Sequence, residues 1–198
     1  MATTCESLIA QDISIPCDDI VSKGLESDGI IINRRDIDFA ATQFASENKN
    51  IIEQLVLKTG KKGYAILQEG NNPFTGTKTE LEVGTYINKW TTEIPILVLS
   101  NTPDVCANII DGLANGRFVV ILRNNTKGTD GKAEYQVFGY EQGLTCSAGT
   151  NEKYSDDTEG GWLITLKEEK ARKSAMFFYK TSSQATAAAY ESLKTEAA

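Results

Sequence analysis

The chain has 198 residues, of which 40% are hydrophobic and 8% aromatic, and it carries a formal net charge of −7. This length and composition allow one sizeable hydrophobic core. The acidic balance argues against a nucleic-acid-binding face, because neutralising phosphates requires clustered lysine and arginine. The sequence contains no histidine, which removes the commonest general base and the commonest zinc ligand.

Residues 1–27 are polar and lack clear periodicity, so we interpret them as an N-terminal arm laid over the body. They contain Cys5 and Cys17, whose pairing in a disulfide stays an open alternative. The four cysteines form no CxxC pair and therefore lack metal-ligand spacing. The pattern is not that of a signal peptide or a membrane span, so we expect assembly in a cytoplasm and no membrane insertion.

Three strands are predicted in the next part of the chain. The first begins in the apolar run after Gly29, the second covers residues 51–57 and the third covers residues 64–68. A short loop with Gly60 and Gly63 separates the second strand from the third, a pattern that is typical of a β-hairpin.

The stretch 76–99 is an unusually long run of strand-forming residues. Its first half alternates polar and apolar residues, whereas its second half predicts burial on both faces, with a bulge, bend or edge position at Pro95. It is either one long strand that bends, or two strands that meet near Asn88 and Lys89. A long uncovered strand edge promotes aggregation, so the stretch folds back on itself or another chain covers it.

The clearest helix covers residues 101–116. Thr102 is a good N-cap and Gly116 is placed to end the helix. The side chains expected on its buried face are Val105, Ile109 and Leu113.

The remaining segments alternate between strands and polar loops and end in a helix. Strands are predicted over 118–122, 133–140, 144–149, 161–169 and 175–179, and a helix over 182–194 that packs through Ala185, Ala189 and Leu193. About nine strands and two helices, without a βαβ rhythm, predict a mainly β (α+β) fold in a single domain, 1–198. The expected architecture is an antiparallel β-sandwich or half-barrel with a flanking helix.

The sequence offers little to an enzyme. It contains neither a phosphate-binding loop nor a GxSxG serine motif. The acidic pair Glu168-Glu169 is interpreted as solvated surface, and the acidic loop 151–161 does not match EF-hand calcium spacing. We therefore predict no catalytic residue, no cofactor and no metal site.

The order of motifs over residues 100–195 is familiar: GRFVVIL, YQVFGYEQGLTCSAGTN, GGWLITLKEE and AMFFYKTSSQATAAAYESL. It resembles structural proteins of phages and prophages of Bacteroides-type gut bacteria, most of all tail tube and tail-completion or connector subunits. The resemblance implies a sandwich or half-barrel with an extended hairpin or loop arm. It also implies homo-hexameric rings that stack into a tube in the virion tail, contact other virion proteins and let DNA pass during ejection.

On this interpretation the arm covers residues 69–93 and contacts a neighbouring subunit through Phe74, Tyr86 and Trp90. Acidic residues would line the pore and repel the DNA backbone, while basic residues would pair at subunit contacts. The alternative function is a monomeric carbohydrate- or cell-surface-binding β-sandwich that uses Trp90 or Tyr86 as its platform. An intramolecular hairpin in a monomer is the alternative explanation for the long stretch.

Overall fold

A computed structural model describes residues 9, 11–13 and 20–197. Most of the predicted N-terminal arm lies outside these residues, as do Cys5 and Cys17. Within the described part, the strands form a seven-stranded and a four-stranded sheet. The mainly β, sandwich-like α+β fold expected from the sequence is confirmed.

The larger sheet has the strand order β2-β3-β11-β8-β7-β1-β4. These strands are β1 (Leu25–Asn33), β2 (Gln43–Phe44), β3 (Ile51–Gln54), β4 (Tyr64–Leu67), β7 (Phe118–Asn124), β8 (Tyr135–Phe138) and β11 (Met176–Phe178). Neighbours are antiparallel except for β11 and β3, which run parallel. The apolar run of β7 is buried on both faces because it lies near the middle of the sheet.

The smaller sheet has the strand order β5-β6-β10-β9 and is antiparallel throughout. Its strands are β5 (Lys78–Glu82), β6 (Lys89–Val98), β9 (Thr145–Thr150) and β10 (Trp162–Ala171). Ile94 of β6 and Ile164 and Leu166 of β10 pack with Val120 and Leu122 of the larger sheet. This cluster is the core between the two sheets.

A helix, α3 (Ser183–Ser192), covers the other face of the larger sheet. The Ser182 hydroxyl caps it by accepting a hydrogen bond from the backbone N–H of Ala185 (3.2 Å). Tyr190 and Leu193 are buried against the sheet. Of the predicted packing residues only Leu193 is fully buried, so the sequence pattern missed the larger contact of Tyr190.

The helix predicted over 101–116 consists of α1 (Pro103–Val105), a π-helical turn (Cys106–Ile110) and α2 (Asp111–Asn115). Thr102 is the N-cap, as predicted, and its hydroxyl accepts from the N–H of Val105. A π turn widens the helix by one residue, which rotates the following side chains. Consequently Ile110 and Leu113 are buried and Ile109 is 43% exposed, so the prediction that Ile109 is buried is wrong.

The predicted hairpin between β3 and β4 is also wrong, because β3 lies near one edge of the larger sheet and β4 forms the other edge. The intervening loop pairs with the end of the chain instead. The N–H of Gly60 donates to the carbonyl of Ala197, and the N–H of Gly63 donates to that of Leu193 (2.7 Å). A Cβ on Gly63 would lie 2.5 Å from Ile30 Cγ2, so this glycine permits a close crossing.

The long stretch 76–99 folds back on itself. Strands β5 and β6 are antiparallel neighbours, with Lys78 opposite Glu93 and Glu82 opposite Lys89. Strand β6 begins at Lys89, near the predicted junction of two strands, but strand β5 already ends at Glu82. The interpretation as one bent strand is therefore wrong, and the intramolecular hairpin is what the structure shows.

Candidate functional site

The described residues bring together no group of three or more His, Cys, Asp or Glu side chains that could hold a metal ion. In the same part of the chain, no helix has the length and apolar character needed to cross a membrane. The surfaces that stand out are strand edges, one hairpin tip and one apolar groove.

The four edge strands differ in charge. Strand β5 carries Lys78, Glu80 and Glu82, and β2 has only two residues. Charges and short length are devices that protect an edge from pairing with another chain. Strands β4 (YAIL) and β9 (TCSAGT) carry no charge, and most of their residues are exposed. Within the described residues, no further strand pairs with either of these two edges.

The hairpin tip is the loop of residues 83–88 between β5 and β6. It exposes Val83, Tyr86 and Ile87, with Tyr86 96% exposed. The N–H of Gly84 donates to the Asn88 side chain (3.2 Å), and a Cβ on Gly84 would lie 2.4 Å from the Ile87 carbonyl oxygen. The tip is therefore a loop, with one internal hydrogen bond to its side chain at Asn88, that leaves apolar side chains exposed to water.

The apolar groove is a cleft of about 600 Å³ between β4, the end of β6 and the helical segment 103–115. Its lining includes no charged side chain. Ile109 is exposed here because the π-helical turn rotates it out of the core. The main apolar residues of its wall are Ile66, Leu67, Val98, Leu99, Ile109 and Leu113.

The three predicted contact residues have different environments. Tyr86 lies on the hairpin tip, and Trp90 is half-buried in β6, opposite Leu81 and Ala171. Phe74 is only 2% exposed and belongs to the core between the sheets. The fold thus removes Phe74 from the residues that can reach a neighbour, because its ring packs against its own chain.

The interpretation of Glu168 as solvated surface is wrong. Its carboxylate is buried and accepts hydrogen bonds from the backbone N–H groups of Gly139 (3.0 Å), Gln142 (2.6 Å) and Gly143 (3.3 Å). The signal was present in the sequence, because Glu168 continues the inward alternation of Ile164 and Leu166. The buried carboxylate fixes the turn between β8 and β9.

A charged network lies where β1, β7, β8 and α3 meet. The Arg123 guanidinium donates hydrogen bonds to the carboxylates of Asp28 and Glu134, each at 2.9 Å. The Lys127 ammonium also donates to Glu134, at 3.2 Å. The Tyr190 hydroxyl donates to Asp28 (3.3 Å). Burial opposes ionisation of Glu134, but hydrogen bonds from Arg123 and Lys127 outweigh it and lower the pKa of that carboxyl. Burial, with the nearby Asp28 charge, raises the pKa of Tyr190.

The network joins α3 to the sheet, because Tyr190 of the helix and Arg123 of β7 both donate to Asp28 of β1. Comparisons with known proteins identify no relative: no family model, no curated protein and no solved structure matches the chain. Function is therefore inferred from the surfaces described above.

Proposed function

We propose that this chain is a structural subunit of a phage virion that polymerises into rings and forms a tail tube or head–tail connector. The observation that carries this proposal is the hairpin tip, where an uncharged loop exposes Val83, Tyr86 and Ile87 to solvent. Contiguous exposed apolar surface often marks a protein–protein contact. The arm proposed to meet a neighbour is therefore narrowed from residues 69–93 to the hairpin tip.

The uncharged edges support the same proposal. Strands β4 and β9 are edge strands of different sheets. Pairing of one with the other between copies would be heterologous, and heterologous contacts generate closed rings or open filaments. Main-chain hydrogen bonds at such edges, together with buried apolar contacts, would supply the adhesive energy.

The net charge of −7 supports a conduit in which DNA passes without binding. Acidic walls repel phosphates, whereas basic residues at subunit contacts meet carboxylates of neighbours. Lys89, Arg117 and Lys170 surround a shallow depression and are suited to such contacts. The proposed place of action is the virion tail, after assembly in the bacterial cytoplasm, with other virion proteins as further partners.

The test is sedimentation of the purified full chain over a range of concentrations, followed by negative-stain microscopy. We expect rings or stacked rings with a central pore at high concentration. A monomer at every concentration would contradict the proposal. If assemblies form, their structure must show a pore, and a net-positive pore wall would exclude the conduit function.

The second candidate, carbohydrate binding, is favoured by one observation. Amide side chains cluster in a cleft of about 680 Å³ beside the loop 71–77. Amides both donate and accept hydrogen bonds, as sugar hydroxyls require. Tyr86 and Trp90 do not line this cleft. The amides are those of Asn71, Asn72, Asn124, Asn125 and Gln136. Saturable binding of a glycan by a monomer would favour this function over the first.

A further inference from the structure

The hairpin tip and the apolar groove lie at opposite ends of β6. The tip ends where β6 begins, at Lys89, and the groove takes in Ile96, Leu97 and Val98 near its other end. A strand rises about 3.3 Å per residue, so the stretch of β6 from Lys89 to Ile96 separates the two features by about 23 Å. A molecule therefore cannot fill its own groove with its own tip.

The groove has the properties of a receptor for an apolar segment. Its volume of about 600 Å³ is within the range of ligand pockets, and its wall is uncharged. Ile109, Leu67 and Leu99 expose apolar surface at it. A charged peptide would lose hydration there without gaining a charged partner, so the groove disfavours a charged occupant.

The tip has the properties of the matching ligand. No residue of the tip is charged, and its apolar side chains Val83, Tyr86 and Ile87 are already exposed for contact. Tyrosine is a frequent anchor of protein interfaces, and its hydroxyl needs a polar partner once it is buried. The groove provides such partners in Asn33 and Asn108, the amides that line it among the apolar residues.

We propose that the apolar groove binds the hairpin tip of a second copy of this chain. This inference rests on the proposed self-association and deepens it by naming the acceptor surface. Because donor and acceptor lie at opposite ends of one strand, the contact is heterologous and joins copies head to tail along β6. Each copy in the interior of an open assembly uses both its tip and its groove. At one end a terminal copy has an empty groove, and at the other end a terminal copy has an unbound tip.

The test uses one variant of each surface in the full chain. Tyr86→Glu places a charge on the tip, and Ile109→Lys places one in the groove. We expect each variant to associate at least tenfold more weakly than the wild type and to stop at a smaller unit. Tyr154→Glu is the matched control, because Tyr154 is 97% exposed on a different loop. It should assemble like the wild type.

Mixing the two variants distinguishes a head-to-tail contact from other arrangements. The groove variant keeps an intact tip and the tip variant keeps an intact groove, so an equimolar mixture should pair one unit of each and extend no further. Absence of pairing in the mixture would overturn the inference, since an intact tip and an intact groove would then have failed to bind each other. Loss of assembly in the tip variant alone would also overturn it, by placing the acceptor elsewhere.

Two controls separate the possible failures. If Ile109→Lys is unfolded by circular dichroism, Leu99→Lys replaces it, since Leu99 is also exposed at the groove. A wild type that stays monomeric at every concentration would overturn the proposed function and this inference together. A wild type that assembles, with variants that assemble equally well, would overturn this inference alone.

Discussion

The two faces of the larger sheet are covered in different ways. On one face, α3 and the end of the chain complete the core, and the network of Arg123, Asp28 and Glu134 lies at its border. On the other face, the smaller sheet covers most of the surface but leaves the apolar groove open beside β4. A border of part-buried charge pairs suits a surface that the chain completes by itself. An uncharged apolar border suits a surface completed by a partner.

The strongest test of this comparison is Tyr190→Ala, on the α3 face. Tyr190 is buried, packs against the Tyr135 ring at a tilt of 43° with centroids 4.7 Å apart, and donates to Asp28. Truncating a buried aromatic leaves a cavity and costs about 3–5 kcal/mol. We expect this loss in the free energy of unfolding measured with urea. Tyr154→Ala is the control, and equal effects of the two variants would contradict the comparison.

Glu168→Ala should have the next largest effect. The substitution leaves three backbone N–H groups without their acceptor, and those of Gly139 and Gly143 are buried. Each unsatisfied buried donor is costly, so we expect a loss of about 3 kcal/mol in the free energy of unfolding. Glu169→Ala, at the exposed neighbouring position, should change it by less than about 0.5 kcal/mol. Similar values for both would mean that the Glu168 carboxylate does not stabilise the turn.

Glu134→Gln should remove a pH-dependent part of the stability. The folded pKa of Glu134 lies below its ordinary value of 4.5, so its ionised form stabilises the fold above about pH 4.5. This contribution is lost as the pH falls through the folded pKa. We expect the variant to lose about 2 kcal/mol at neutral pH, because it replaces hydrogen bonds to a charged group.

The measurement for Glu134 is urea unfolding of both proteins between pH 7 and pH 3. The difference between wild type and variant should shrink as the pH falls below about 4.5. A difference that stays constant over this range would show that the carboxylate charge does not contribute. Glu82→Gln, at an exposed position on β5, is the control for removing a carboxylate outside the network.

Local features of the fold were predictable from the sequence. The apolar run at 118–122 gives β7, and the caps Thr102 and Ser182 begin their helices as expected. Caps and periodicity act over a few residues, so a sequence window contains their causes. The alternation of inward and outward residues along β10 also indicates that Glu168 is buried. The prediction of a surface position for Glu168 follows from its charge alone and ignores this alternation.

Long-range pairing was not predictable in the same way. The hairpin expected between β3 and β4 is absent because each strand has a better partner far along the chain, β11 for β3 and β1 for β4. The π-helical turn that exposes Ile109 has no marker in the sequence pattern. Such features depend on packing between distant segments, which periodicity does not report.

The candidate site was predictable in part. Tyr86 is exposed on a loop of the predicted arm, whereas the pattern gave no sign that Phe74 turns inward. The groove itself could not be found in the sequence, because its walls come from β4, β6 and the helical segment 103–115. These segments meet only after the two sheets pack together.

The smallest effect on folding, and the sharpest contrast with the α3 face, is expected for Tyr86→Ser. A side chain that is 96% exposed contributes little to the folded monomer, so the free energy of unfolding should change by less than about 0.5 kcal/mol in dilute solution. Association stabilises the folded state by mass action. The melting temperature of the wild type should therefore rise with protein concentration, and that of the variant should not.

The control for this experiment is Tyr154→Ser, whose melting temperature should rise with concentration as the wild type's does. If the two variants behave alike, the tip does not carry the association. If Tyr86→Ser instead destabilises the dilute protein by as much as Glu168→Ala, the tip supports its own fold. The apolar residues of the tip would then stabilise the monomer, as the residues under α3 do. In that case the two faces of the larger sheet would not differ in the way proposed, with one serving folding and the other serving assembly.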